Sequence, residues 1–128
     1  MSLYEFPRTA RLPSSGDFRK VFEQASFRAP HPCFLLLAIR NQHQQARLGL
    51  VVAKKHVRRS VDRNRIKRLI RESFRHQLPH LPPLDIVVLV RKEAGASDNR
   101  HLLATLDKLW ARLSRQAVDS ASTQKASE

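Results

Sequence analysis

A chain of 128 residues with no long break in composition suggests a single domain, and a hydrophobic share of 41% suits one packed core and argues against a disordered chain. Lys and Arg number 24 against 11 Asp and Glu, a net of +13 at pH 7, so the surface field gathers polyanions, and nucleic acid leads the partner classes. No apolar run approaches the roughly 18 residues of a membrane span, the single cysteine excludes a disulfide framework, and the N-terminus lacks a signal-peptide pattern; together these point to a reducing, cytoplasmic setting without membrane.

Residues 1–13 read as an irregular arm punctuated by Pro7 and Pro13. Ser14, Ser15 and Asp17 are good helix starters, and Phe18, Val21 and Phe22 then share one face of a short helix. Residues 26–28 suit a short edge strand before the breaker Ala29-Pro30-His31-Pro32. Residues 33–40 and 47–53 read as strands, and their spacing across a polar turn predicts an antiparallel hairpin. A helix is predicted over residues 60–77, with Ile66, Leu69, Ile70, Ser73 and Phe74 as its inner stripe and Pro79, Pro82 and Pro83 beyond its end. Residues 85–90 form a buried strand. Ser97 or Asp98 can cap a last helix, in which Leu102, Leu103, Leu106, Leu109, Trp110 and Leu113 line one face. Residues 117–128 are small and polar and read as a disordered tail after a single domain over residues 1–116. The order is α-β-β-β-α-β-α, an α+β two-layer sandwich of one sheet with helices against it.

The segment Lys54-Lys55-His56-Val57-Arg58-Arg59-Ser60-Val61-Asp62 and the helix after it carry the strongest functional signal. Residues 54–75 hold ten cations and two acids, a net of +8. On a helix, Asn64, Arg65, Lys67, Arg68, Arg71 and Arg75 lie opposite the apolar stripe, and Arg63 falls at its margin. Like charges three and four residues apart destabilise an isolated helix, and a polyanion relieves that repulsion. Arginine outnumbers lysine seven to three here, which favours bidentate phosphate contacts. A solvated surface is the competing reading, and it suits helices of mixed sign better than this one.

The run Arg63-Asn64-Arg65-Ile66-Lys67-Arg68-Leu69-Ile70-Arg71-Glu72-Ser73-Phe74-Arg75 resembles the RNR signature of the bacterial ribonuclease P protein family. Arg47-Leu48-Gly49-Leu50-Val51-Val52-Ala53-Lys54-Lys55 is similar to that family's strand entering the motif, Phe18-Arg19-Lys20-Val21-Phe22 to its first helix, and Asp85-Ile86-Val87-Val88-Leu89-Val90-Arg91-Lys92 to its last strand. The turn between Lys55 and Arg63 departs from the Gly-Asn-Ala-Val type of many members and is more basic. The resemblance implies a ribosomal-protein-S-five-like sandwich with a left-handed βαβ crossover. It also implies the protein subunit of a ribonucleoprotein that removes the 5′ leader of precursor tRNA, with the catalytic centre and its magnesium ions in the RNA. The protein itself then supplies no catalytic residue, metal ligand or cofactor and needs no protein partner. On this reading Arg58, Arg59, Arg63, Asn64, Arg65, Lys67, Arg68, Arg71 and Arg75 bind the catalytic RNA, and Phe18, Phe22, Lys54 and Lys55 bind the leader.

Other readings of the same residues stay open at this stage. Phe18 and Phe22 suit core packing as well as base stacking, and Lys54 and Lys55 suit solvation as well as phosphate contact. Six histidines show no zinc-like spacing, because Pro79 interrupts the pair His76 and His80. Acids are too sparse for a two-metal nuclease site. Cys33 in an apolar strand reads as inert, and Trp110 as core. A ribosomal or other RNA-structural protein with no part in tRNA processing is the alternative function.

Overall fold

The computed structural model describes residues 11, 12 and 14–126, with side chains described as far as residue 120. The arm expected over residues 1–13 lies outside the described residues except for Arg11 and Leu12. The elements run α1 (Ser15–Gln24), β1 (Phe27–Pro30), β2 (Phe34–Arg40), β3 (Arg47–Val51), α2 (Ser60–Gln77), β4 (Leu84–Val90) and α3 (Asn99–Ala126). Short 3-10 turns at Leu78–His80 and Lys92–Ala96 follow α2 and β4. Ser14 caps α1 by accepting the Asp17 N–H, and Asp98 caps α3 by accepting the His101 N–H at 2.8 Å.

The four strands form one mixed sheet in the order β1-β2-β4-β3. This corrects the predicted hairpin of β2 with β3. β4 inserts between them, antiparallel to β2 and parallel to β3, with Leu36 opposite Val88 and Leu50 opposite Val88. The physical reason lies in composition. Ile86, Val87 and Val88 are fully buried, on alternating faces, and a strand apolar on both faces takes an interior place. β3 carries Arg47 and Gly49 on one of its faces and is left at the edge.

Side chains alternate between two cores. On one face Phe34, Leu36, Ala38, Leu48, Ile86 and Val88 meet Ile66, Ile70 and Phe74 of α2 and Leu102, Leu106, Trp110 and Leu113 of α3. Trp110 donates from Nε1 to Ser73 Oγ at 2.8 Å and meets the Phe74 ring edge-on at 5.6 Å between centroids, so the polar position in α2's stripe serves the indole. On the other face the shorter α1 lays Val21 and Phe18 over Leu37, Ile39 and Val87.

The free edge of β1 is closed by α3. The Gln116 amide accepts the Arg28 N–H and donates to the Arg28 carbonyl, and Arg112 donates to the Pro30 carbonyl. α3 extends into the segment where a tail was expected. Ala117 is buried in the core, its carbonyl accepts from Arg40 at 2.5 Å, and the helix runs on to Ala126. Ala117 continues the stripe that ends at Leu113, and its small size allows close packing there.

Candidate nucleic-acid interface

α2 builds the first surface. Its apolar stripe is sunk in the core, which leaves the opposite side as a ridge of cations. Asn64, Arg68 and Arg71 are exposed, and Arg65, Lys67 and Arg75 are half-buried along its flanks. Asn64, Lys67, Arg68, Arg71, Glu72 and Arg75 line one shallow hollow of this ridge. A second hollow takes in Val61, Asn64, Arg65, Arg68, Leu69 and Asn99. Arg65 is held across to α3 by a 2.6 Å hydrogen bond to Asn99 Oδ1 and lies 3.9 Å from Asp62, while Arg75 lies 3.5 Å from Glu72. The two acids of the segment therefore steady arginines.

Arg63 turns inward, as its marginal position allowed. Its Nη1 donates to the carbonyls of Val57 at 3.0 Å and Arg58 at 2.7 Å. Val57 itself is buried in the core. Together they pin the basic turn, whose His56 and Val57 N–H groups also bond back to the Ala53 carbonyl. Arg58 and Arg59 are exposed and line a hollow with Lys55, His56 and Lys92. Lys55 thus lines the same hollow as the basic turn. Lys92 and Asn99 are members that sequence spacing alone did not reveal, because they come from the far end of the chain.

The second surface lies on the opposite face of the sheet. α1 crosses one end of the strands. At its start Asp17 lies 3.5 Å from Arg47 at the head of β3, and just after its end the Ser26 N–H bonds to the Ala38 carbonyl late in β2. The row at the other end, Val51, Leu89 and Leu35, is paired across three strands and only partly covered. This row is a partly exposed apolar strip on the face that α1 covers, beyond the helix. Lys54 is exposed just beyond Val51 at the open end.

The two phenylalanines have separate surroundings. Phe18 is half-buried, and its ring lies so close to Gly49 that a Cβ there would stand 2.5 Å from Phe18 Cζ and 2.8 Å from Leu12 Cδ1. Phe22, one turn on, is 44% exposed. The sequence spacing placed the rings on one face but gave no sign of this division. A glycine inside a strand, which signals close approach of another group, was the available hint.

A buried ion pair ties β3 to β4 at the α1 end of the sheet, and Arg47 reaches on toward Asp17 of α1. Arg47 grips Asp85 with Nε at 2.8 Å and Nη2 at 2.7 Å, and Asn41 Nδ2 donates to the same carboxylate at 2.9 Å. Burial by itself pushes the Asp85 carboxyl up, but the hydrogen bonds from Arg47 and Asn41 and the guanidinium charge bring it below its ordinary value. The hydrogen bond to Asp85 raises Arg47 in turn. Among the described residues no three His, Cys, Asp or Glu side chains converge in a group able to hold a metal ion, and no helix is long and apolar enough to cross a membrane.

Residues 6–114 match the family model described as Ribonuclease P. The chain is 48% identical over 115 residues to the ribonuclease P protein component of Chromohalobacter salexigens, covering 90% of each chain. It is 50% identical to that of Yersinia enterocolitica, covering 90% of this chain and 96% of the relative. Among solved structures it resembles the RNase P protein of Staphylococcus aureus, with a TM-score of 0.73, 28% identity and coverage of 82% and 97%. The protein from Thermotoga maritima gives a TM-score of 0.71, 31% identity and coverage of 80% and 96%.

Proposed function

The chain belongs to the ribonuclease P protein family and is a tRNA-processing subunit of that ribonucleoprotein endoribonuclease, and from this premise we propose that its two surfaces, the arginine ridge and the apolar row beside Lys54, divide the RNA between them. The observation that carries the proposal is the sheet itself. The arginine ridge of α2 and the partly covered row Val51–Leu89–Leu35 lie on opposite faces of one sheet, so two RNA segments can be held at once without competing.

The ridge and the basic turn dock on the catalytic RNA. Arg58, Arg59, Arg65, Lys67, Arg68, Arg71 and Arg75 offer donors to phosphates, Asn64 adds a neutral donor, and Arg63 keeps the turn in place. The apolar row takes the single-stranded leader. Leaders differ in sequence, so a sequence-tolerant grip of stacking and phosphate attraction suits them. Phe22 offers the exposed ring, Phe18 the edge of α1, and Lys54 an ammonium at the open end, with Lys55 shared toward the basic turn.

Bond cleavage, and the magnesium it uses, belong to the RNA. The protein's part is to bring two polyanions together and to screen their repulsion, a task otherwise left to metal ions. The test is cleavage of a precursor tRNA by the catalytic RNA with and without this chain, over a magnesium series. The expected result is activity at lower magnesium when the protein is present and none from the protein alone. Cleavage by RNA-free protein, abolished by changing its own acidic residues, overturns this division.

A further inference from the structure

The open end of the sheet carries a cation cluster on its β1 side, far from Lys54. The turn between β1 and β2 is collared there. Arg112 Nη1 donates to the Pro30 carbonyl and Arg91 Nη1 to the His31 carbonyl, both at 3.3 Å. The His101 ring stands 6.3 Å from the His31 ring, centroid to centroid, and Lys108 lies within electrostatic reach of it. Burial and the charges of His101, Arg112 and Lys108 push His31 below the ordinary histidine range, and Glu93 is the one acid that opposes them. The nearby Asp98 is committed to capping α3.

The cluster stands at the β1 end of the apolar row, where α3 runs along the edge of the sheet. Val51 pairs with Leu89, Leu89 with Leu35, and Leu35 with Pro30. At a strand spacing of about 4.8 Å, that row crosses the four strands in roughly 14 Å and ends at the collared turn. Arg91 follows β4 directly, so its side chain stands where the row meets the collar. A single strand entering beside Lys54 and lying along the row has this cluster as its exit.

We propose that Arg91, His101, Lys108 and Arg112 form a second phosphate-binding site, which holds leader nucleotides lying 5′ of those on the apolar row. The proposal rests on the reading of the row as the leader site. Its ligand is the sugar-phosphate chain, since no exposed Phe, Tyr or Trp accompanies these side chains among the described residues. The site therefore adds affinity by leader length and not by leader sequence.

The test uses the holoenzyme and precursor tRNAs whose leaders lengthen one nucleotide at a time. His101→Ala combined with Lys108→Ala leaves the two carbonyl-bound arginines in place, and the melting temperature checks the fold. For wild type, affinity steps up once the leader spans the row. The double variant loses that step, on the order of five- to tenfold for long leaders, and binds short leaders as wild type does. Methylphosphonate linkages at the distal leader positions remove the same step from wild type and change nothing further in the variant. An equal loss at every leader length assigns the cluster to the catalytic RNA and overturns the proposal, as does a retained step. Phe22→Leu with a short leader is measured alongside. A weakened short-leader complex with the length step intact sinks only the second site, whereas an unchanged one sinks the leader reading of the row beneath it.

Discussion

At the scale of single residues, helical spacing makes Phe18 and Phe22 alike and their surroundings make them different. Phe18 is held against Gly49, and its ring has become part of the joint between α1 and the sheet. Phe22 keeps a free face. Replacing Phe22 by Leu keeps apolar bulk and removes the π face, so precursor tRNA should bind about 1–3 kcal/mol more weakly while mature tRNA binds as before. The ratio of the two affinities in the holoenzyme reads this directly, and a ratio identical to wild type would mean that no base stacks on Phe22. Gly49→Ala acts on the other ring. Its methyl group enters space that Phe18 and Leu12 fill, and overpacking of this kind costs about 1–3 kcal/mol of stability. Denaturant unfolding gives that cost. A neutral Gly49→Ala would show that the Phe18 ring swings aside freely and is no fixed joint.

At the scale of elements, α2 is the clearest instance of sequence declaring both structure and use. Ile66, Ile70, Ser73 and Phe74 recur at helical spacing and are buried, and the cations between them are turned outward. Its bounds and its ridge were legible because one periodicity sorts both. The neighbours of β4 were not legible, because local spacing favours a hairpin and cannot weigh a strand that arrives only after the whole of α2. Nor could sequence show that Arg63 ties down its own turn or that Arg65 reaches Asn99, since both depend on where the chain returns. Arg68 is the cleanest probe of the ridge, being exposed on α2 and lining both of its hollows. Arg68→Ala should lower the log–log salt slope of catalytic-RNA binding by about one unit or somewhat less and leave the melting temperature alone. Ile66→Ala, at a fully buried position, should cost about 2–5 kcal/mol of stability. Unfolding by the first change, or a full salt slope after it, would reverse the assignment of faces.

At the scale of the whole molecule, one buried cluster joins α1, β3, β4 and the loop after β2. Asp85 is 6% exposed at its side chain and receives Arg47 and Asn41, and Arg47 also reaches toward Asp17 on α1. α1 is thus anchored at the end of the sheet opposite the open row. The titration of this cluster sets how the fold responds to acid. The folded Asp85 carboxyl lies below its ordinary 3.8, so the unfolded chain binds the proton more readily. The stabilisation is fully present above the unfolded value and is lost as pH falls through the folded one. His31 is likewise depressed from 6.5, so its contribution is complete above that value and declines below it. Stability should therefore fall in two stages on acidification, the first beginning below 6.5 and the second below 3.8. Asp85→Asn removes the charge that Arg47 needs and should lower stability near neutral pH by about 3–5 kcal/mol, as breaking a buried pair does. The same change should flatten the second stage, because no carboxyl remains at that position to titrate. Urea unfolding of both proteins between pH 3 and 8 tests the two claims together. A variant that lost the neutral-pH stability but kept the full acid slope would show that other carboxylates, and not Asp85, govern acid unfolding.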